Sequence, residues 1–279
     1  MNDFTHPLDV QYFQKLNDNK ALKLVMGALS KAHAITNAFA EIPDRNLIVN
    51  ATTFPRLNKM YRLARERLEI STACDVFCNM DFGRNVRVIG TDDNCAIVID
   101  SSCAEDFSDE HLLATFGIAL GHIKMRHVTY MTSLELIDGL GIFVPKIAKD
   151  AAKSMLLDWL ITAEYTADRA GAIAAGSIRA VIEHHLLASG FETIEQCAGY
   201  DLNTRIDLPQ GLNGFDRAAK IVMIETLRDF PMPFVIPRIK ELVEWSTSME
   251  CKRDFPSLHV KSNSTIQSWQ QKVYPAIGR

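Results

Sequence analysis

Residues 116–127 read FGIALGHIKMRH, and residues 163–171 read AEYTADRAG. These two runs decide the fold. The first continues an apolar stripe at helical spacing, formed by Leu112, Phe116, Leu120 and Ile123. Ser108 can cap that helix, and the acidic residues at 109–110 favour its positive end. The second run lies in a helix predicted over residues 147–175, so the chain should contain a central pair of long helices.

The rest of the chain predicts an α+β fold that is mainly helical. Further helices are expected at residues 20–40, 56–68, 177–188, 214–228 and 237–246. Three β-rich runs, at residues 76–78, 86–89 and 96–99, are separated by turn signals and predict a small antiparallel sheet of about three strands. We expect one domain over residues 1–279, with amino-terminal helices at 1–70, the sheet and motif helices at 71–190, and carboxy-terminal helices at 191–279.

The composition excludes several classes of protein. The 279 residues are 47% hydrophobic and 23% charged, which is typical of a globular protein rather than a disordered or fibrous one. The formal net charge of −4 offers no basic surface for nucleic acid. No uncharged run approaches the roughly 20 residues that span a bilayer, and the first residues do not form a signal peptide. We expect a soluble, cytoplasmic protein without a transmembrane segment or a nucleic-acid partner.

Four of the six cysteines cluster around the predicted sheet, at Cys74, Cys78, Cys95 and Cys103. Zinc ribbons place their cysteines in close Cys-x2-Cys pairs, and these spacings do not match. Buried free thiols are therefore expected.

Together the two helical runs resemble the gluzincin metallopeptidases of the CAAX prenyl endopeptidase and HtpX-like type. That family carries His-Glu-x-x-His on one helix and Glu-x-x-x-Asp-Arg on a later one. Residues 120–124 and His127 match the first segment, and Glu164 and Asp168 match the second. The likeness covers most of residues 6–250. It implies a zincin-like metallopeptidase fold in which the small sheet packs on the two motif helices.

Three catalytic positions of that family hold apolar residues here. The first zinc histidine and the catalytic glutamate fall at Ile118 and Ala119, and a carboxy-terminal histidine falls at Met232. Isoleucine cannot ligate a metal, and alanine cannot accept a proton from zinc-bound water. Losing one ligand costs about 3 kcal/mol, roughly a hundredfold in affinity. Losing a general base typically costs about 10²–10⁴ in rate. We expect no catalytic residue and no ordinary zinc proteolysis.

Polar residues remain at four matching positions: His122, Glu164, Asp168 and Arg238. The resemblance implies that His122 and Glu164 are vestigial zinc ligands, with Asp168 as a third candidate. The alternative is a buried hydrogen bond or ion pair between His122 and Glu164. Asp168 together with Arg169 or Arg238 is interpreted as a structural remnant of the site.

The other histidines are poor substitutes for the missing ligand. His127 follows His122 by five residues, roughly 140° around an ideal helix, so one metal cannot join them locally. His111 shares a face with His122 but lies roughly 16 Å away along the helix. The adjacent His184 and His185 point in different directions, and one of them could reach the site only through tertiary packing.

Our leading hypothesis is therefore a non-catalytic, peptidase-like protein that binds a peptide or acts as a scaffold subunit. An active homologous peptidase is one candidate partner, because a silent subunit can pair with an active one. Gluzincins hold a peptide as an added strand along a sheet edge. The alternative is an active zinc-dependent hydrolase whose rearranged site uses His122, Glu164, Asp168 and one of the two adjacent histidines. The first hypothesis expects no cofactor, and the second requires zinc.

Overall fold

The computed structural model describes residues 4–71, 73–80, 83–193, 196–197 and 235–258, and these are mainly helical around one small sheet. The helices before the sheet are α1 (Pro7–Asp18), α2 (Lys20–Lys31), α3 (Ala34–Ala40), α4 (Ile42–Arg45) and α5 (Pro55–Arg67). Those after it are α6 (Ser101–Asp106), α7 (Asp109–Lys124), α8 (Val128–Leu136), a 3-10 helix (Ile137–Phe143), α9 (Lys146–Ala175) and α10 (Ile178–Ala188). Two more follow, α11 (Val235–Thr247) and α12 (Met249–Asp254).

Local sequence signals set most helix ends. Ser108 caps α7 by accepting a hydrogen bond from the amide of His111, and α9 ends where Gly176 adopts φ 68°. The single helix expected over residues 20–40 is wrong, because His33 adopts φ 50° and separates α2 from α3. The helix expected at residues 214–228 lies outside the described residues.

The sheet is mixed and has four strands within the described residues: β1 (Leu47–Ile48), β2 (Asp75–Asn79), β3 (Val86–Gly90) and β4 (Cys95–Asp100). Their order is β1-β2-β4-β3, and β2 runs parallel to β4. The expected three-stranded antiparallel sheet is therefore wrong. The chain crosses the end of β4 before β3 begins, because the amides of Gly83 and Arg84 donate to the side chains of Asp100 and Ser102. That crossing places β3 on the outer side of β4 and leaves β2 as the parallel neighbour.

Small residues let α7 and α9 pack closely. A Cβ added at Gly117 would lie 2.6 Å from the Cβ of Ala174 and 2.8 Å from the Cα of Gly171. A Cβ at Gly121 would lie 2.7 Å from the Cβ of Ala170. Side chains on the facing sides of the two helices therefore meet directly. Helix α7 is buried on all sides from His111 to His122. The apolar stripe seen in the sequence predicted burial of one side only.

Replacing Gly117 by alanine should lower the free energy of unfolding by about 1–3 kcal/mol, because the added methyl group overpacks the contact with α9. Urea unfolding near neutral pH measures the change. Gly27→Ala is the matched control, since Gly27 lies in α2 with nothing within 4 Å of the added methyl group. That variant should gain about 0.5–1 kcal/mol from the better helix propensity of alanine. Equal effects at the two positions would contradict the close packing of α7 on α9.

The sheet packs its inner face on the helices in the arrangement that the resemblance implies. Val76, Ile97 and Ile99 share one apolar core with Leu112 and Phe116 of α7. No helix in the described parts of the chain is long and apolar enough to cross a membrane. The zincin-like assignment and the single domain over residues 1–279 stay predictions.

Candidate functional site

Polar side chains from five helices, α1, α7, α9, α10 and α11, and from the turn that follows α7 meet between α7 and α9. Glu164 and Asp168 lie one turn apart on α9 and are only 8% and 1% exposed. Burying a charge at this depth is unfavourable unless it is paired and hydrogen-bonded. We call the whole set the buried ionic cluster, and its members are Asp9, His122, His127, Glu164, Asp168, His185 and Arg238.

Arg238 of α11 bridges the two carboxylates of α9. Its Nε and Nη2 donate to the two oxygens of Asp168 at 2.8 and 2.5 Å, and its Nη1 lies 3.0 Å from Oε2 of Glu164. Such a two-pronged contact is the strongest form of arginine–carboxylate pairing. Burial is the largest single influence and raises the pKa of both carboxyl groups, but Arg238 together with the histidine beside each of them, His122 at Glu164 and His185 at Asp168, holds the pKa of each below its usual range. The pair is thus ionised and neutralised mainly by one guanidinium group.

His122 of α7 contacts Glu164 on one side and His127 on the other. Its Nε2 lies 3.5 Å from Oε2 of Glu164, and its Nδ1 lies 3.1 Å from Nδ1 of His127. The Nε2 of His127 lies 3.2 Å from the Asp9 carboxylate, which needs a donor. Neutral His127 therefore accepts at Nδ1, and His122 donates from Nδ1. The other ring nitrogen of His122, Nε2, faces the Glu164 carboxylate.

Asp9 anchors this row of histidines to α9. The carboxylate is 2% exposed and accepts hydrogen bonds from Nε1 of Trp159 at 3.0 Å and from Oγ1 of Thr166 at 2.6 Å. Together with His127, these donors hold the pKa of Asp9 below its usual range although burial opposes the shift. The amino-terminal segment is thereby part of the site.

The adjacent histidines of α10 have separate partners. His185 is fully buried, and its Nε2 lies 2.9 Å from Oδ1 of Asp168. Nδ1 of His184 pairs with the hydroxyl of Thr115 on α7 at 3.1 Å. Of the two, only His185 therefore reaches the cluster, through Asp168.

Arg169 does not contact Asp168. Its Nη2 lies 3.1 Å from the Glu241 carboxylate, and its Nη1 points at the carbonyl of Phe4 at 3.5 Å. Of the two arginines proposed for the structural remnant, the structure brings only Arg238 to Asp168. Arg169 instead ties α9 to α11 and to the amino-terminal segment.

Sequence reasoning missed Asp9 and judged His127 too far around the helix to meet His122. Helix α7 ends at Lys124, and Arg126 adopts φ 60°, so the ideal helical angle no longer applies. The amide of His127 instead donates to the carbonyl of His122 at 3.0 Å, which closes a helix end of the Schellman type and turns the two rings toward each other. An accessible clue was the arginine followed by a histidine just after the predicted last turn.

Comparisons with known proteins place this geometry in context. No protein-family model matches the chain, and no solved structure matches it. The chain is 26% identical over 282 aligned residues to the Arabidopsis thaliana protein named plastoglobule-localized metallopeptidase 48, chloroplastic. The alignment covers 95% of this chain and 78% of that protein. The chain is metallopeptidase-like. The likeness extends over nearly the whole chain, well beyond the two motif helices.

The described residues of this metallopeptidase-like chain do not fit a catalytic zinc site. Such a site takes three protein ligands and an open position. His122 and Glu164 offer two donors, but Ile118 packs its hydrocarbon side chain toward Gly171 of α9, and Ala119 is 1% exposed. No group of three or more His, Cys, Asp or Glu side chains within the described ranges is arranged to hold a metal ion. Met232 lies outside those ranges.

Acid should destabilise the fold through its buried histidines and carboxylates. Burial lowers the pKa of three histidines: His127, His184 and His185. They are neutral when folded and gain protons on unfolding below about pH 6.5. The three carboxylates of the buried ionic cluster, Asp9, Glu164 and Asp168, have a lowered pKa although burial opposes it. They gain protons on unfolding below about pH 4. In both ranges the unfolded chain binds more protons, so stability falls as the pH falls.

Urea unfolding at graded pH tests this expectation. As the pH falls through the range in which a contributing group gains its proton on unfolding, that group should lower the free energy of unfolding by up to about 1.4 kcal/mol per pH unit. His184→Gln should flatten the dependence between about pH 7 and 5, whereas His33→Gln, at an exposed position, should leave it unchanged. A stability that does not vary between about pH 7 and 4 would refute the assignment of neutral, buried histidines.

Proposed function

We propose that this chain is a non-catalytic, metallopeptidase-like protein that binds a peptide segment of a partner protein. The observation that carries the proposal is the side chain of Ile118, which lies one helical turn before His122 and packs toward Gly171 of α9, where a metal would need a further ligand. Arg238 contacts both Glu164 and Asp168, but because the resembled family has an arginine at this position, that contact alone does not distinguish a catalytic from a non-catalytic site. Ile118 and Ala119 supply hydrocarbon where that family has a ligand and a proton acceptor.

A rearranged zinc site is disfavoured by the same contacts. Its ligands would be His122, Glu164, Asp168 and His185. Asp168 already accepts from Nε and Nη2 of Arg238 and pairs with His185, and Glu164 faces the third nitrogen of Arg238. A metal would have to displace a fully buried arginine from two carboxylates. Removing one partner of a buried ion pair costs about 3–5 kcal/mol.

The outer edge of β3 supports the peptide-binding part of the proposal. β3 pairs with β4 on one side, and within the described residues it is an edge strand of the sheet. The amide of Gly90 points to the other side and donates to the hydroxyl of Thr132 on α8 at 3.1 Å. Because backbone groups alternate along a strand, the amide and carbonyl of Val88 point the same way. In this proposal an extended peptide adds to β3 at Val88, on the edge that faces α8.

Assays of the purified chain with added zinc and an unfolded protein substrate test the loss of catalysis. We expect no cleavage beyond the rate measured with a strong chelator present. Glu164→Gln is the control that separates this chain from a contaminating peptidase. Chelator-sensitive cleavage that disappears in the Glu164→Gln variant would refute the non-catalytic assignment.

An array of extended hexapeptides tests the binding function. Binders found with the wild-type chain should be lost with Val88→Pro, because proline removes the outward amide. Val88→Ala is the matched control, since both variants lose the valine side chain but only one loses the donor. Binding that survives Val88→Pro would exclude this edge as the site, and an array without binders would count against peptide binding altogether. A segment of an active homologous peptidase is one partner class that we propose, and a cytoplasmic location is a further proposal.

A further inference from the structure

Two cysteines face each other across the parallel pair β2 and β4. The register pairs Asp75 with Ala96, so Cys74 just before β2 lies opposite Cys95 at the start of β4. Neighbouring strands run about 4.8 Å apart, and side chains of paired residues point to the same face. Disulfides join residues whose Cα atoms are about 4.4–6.8 Å apart, so the register itself suits a disulfide bond.

Tyr61 of α5 fixes the position of Cys74. Its hydroxyl accepts a hydrogen bond from the amide of Cys74 at 3.0 Å and lies 2.9 Å from the carbonyl oxygen and 3.4 Å from the sulfur of Cys74, so its one proton is shared between these two acceptors. The guanidinium of Arg65 lies over the Tyr61 ring, 5.6 Å from its centre. The hydroxyl beside the sulfur and the nearby positive charge of Arg65 both favour a thiolate.

Cys74 also differs from the other cysteines in exposure and ionisation. Of the six cysteines, all free, Cys74 is the one that is not buried, whereas Cys95 is 9% exposed. A hydrogen bond from Cys95 and one from Tyr61 lower the pKa of the Cys74 thiol although burial opposes them. Burial raises the pKa of both Cys78 and Cys251 to about 11. Accessibility, thiolate character and a neighbouring thiol are the properties of a redox-sensing cysteine.

We propose that Cys74 is an oxidation site for hydroperoxides and that Cys95 resolves it to a disulfide. The Cys74 thiolate attacks the O–O bond, so an S–O bond forms and the sulfur loses two electrons. The hydroperoxide is reduced, and its departing oxygen takes a proton to leave as water or an alcohol. The Cys95 sulfur then attacks the sulfenic acid, an S–S bond replaces the S–O bond, and the departing hydroxide leaves as water with the Cys95 proton.

The Cys74–Cys95 bond would join β2 to β4 where the sheet already holds the two residues together. Because Cys95 is buried, an oxidant reaches Cys74 first, and the disulfide then protects Cys74 from further oxidation. Cys78 and Cys103 have no such arrangement, since burial raises the pKa of each. Cys78 therefore serves as the internal control for thiol reactivity in the wild-type chain.

Peptide mapping after treatment with hydrogen peroxide tests the proposal. Trypsin cuts after Arg67, Arg84, Arg87 and Lys124, so the expected disulfide joins peptide 68–84 to peptide 88–124. Cys78 and Cys103 lie in the same two peptides, so the mapping uses a Cys78→Ser/Cys103→Ser background. The cross-link should form there and be lost on adding Cys74→Ser or Cys95→Ser. Cys74 oxidised to sulfinic acid without the cross-link, or no oxidation of Cys74, would overturn the proposal.

Alkylation of the wild-type chain by iodoacetamide gives an independent readout. Burial raises the pKa of Cys78 to about 11, whereas the pKa of Cys74 is lowered by its hydrogen bonds from Cys95 and Tyr61, so Cys74 has the larger thiolate fraction near neutral pH. Cys74 should therefore react faster than Cys78 in the folded chain, and Tyr61→Phe should slow Cys74 without changing Cys78. Equal rates for the two cysteines would contradict the proposed reactivity of Cys74.

Discussion

Arg238→Met should lower the free energy of unfolding by about 3–5 kcal/mol, because it leaves Glu164 and Asp168 as buried charges without their main counter-ion. Methionine keeps the apolar length of the arginine side chain, so the loss reports the charge rather than a cavity. Urea unfolding near neutral pH measures it. Arg238→Lys should recover part of the stability, since an ammonium group keeps the charge but cannot contact both carboxylates in the same planar geometry.

Arg179→Met is the matched control for Arg238. Arg179 also pairs with a glutamate, Glu183, but its side chain is 52% exposed, so its loss should cost less than about 1 kcal/mol. Adding Glu164→Gln and Asp168→Asn to Arg238→Met should regain stability, because no uncompensated charge then remains. If Arg238→Met behaved like Arg179→Met, Arg238 would not be the counter-ion of the cluster.

Ile118→His/Ala119→Glu should raise the zinc affinity about a hundredfold or more above that of the wild-type chain, because one added ligand contributes about this factor to the binding constant. The side chain at position 118 points toward α9, on the same helix face as His122. His122 already has its Nδ1 engaged with His127, which leaves Nε2 for a metal. The new histidine, His122 and Glu164 would then form a His2Glu ligand set. Calorimetric titration with zinc measures the affinity.

Ile118→Leu/Ala119→Glu is the control for this double change, because it adds the carboxylate without the imidazole. It should bind zinc no better than the wild-type chain. Adding His122→Ala to the Ile118→His/Ala119→Glu variant should abolish the gain. A folded double variant that gains no affinity would show that position 118 does not correspond to the ligand position of the resembled family.

The central helices were predictable because their signals are local. Ser108 caps α7, and Gly176 ends α9. Apolar residues recur at helical spacing along α7. The four-residue spacing of Glu164 and Asp168 likewise predicts that both carboxylates lie on one face of α9. Because such a pattern depends only on residues that are close in sequence, contacts with distant parts of the chain do not alter it.

The partners of those carboxylates come from distant parts of the chain, so the family resemblance, and no local pattern, named Arg238, which follows Asp168 by 70 residues. Asp9, which lies 150 residues before its partner Trp159 on α9, was missed. The row from Asp9 to His122 also depends on Arg126 at φ 60°, a backbone conformation that spacing along an ideal helix does not anticipate.

The predicted strand order was wrong for a related reason. Turn signals between β2 and β3 suggested a hairpin, but hydrogen bonds from Gly83 and Arg84 carry the chain across β4. The opposition of Cys74 and Cys95 follows from that order, since it exists only because β2 and β4 are parallel neighbours. No feature of the local sequence distinguishes these two cysteines as a pair.

Zinc titration of the wild-type chain beside the His122→Ala and Glu164→Gln variants tests most directly whether the site between α7 and α9 has lost its metal. We predict that all three proteins bind zinc equally weakly, with no stoichiometric site that depends on either residue. One equivalent of zinc held tightly by the wild-type chain and lost in both variants would contradict that claim.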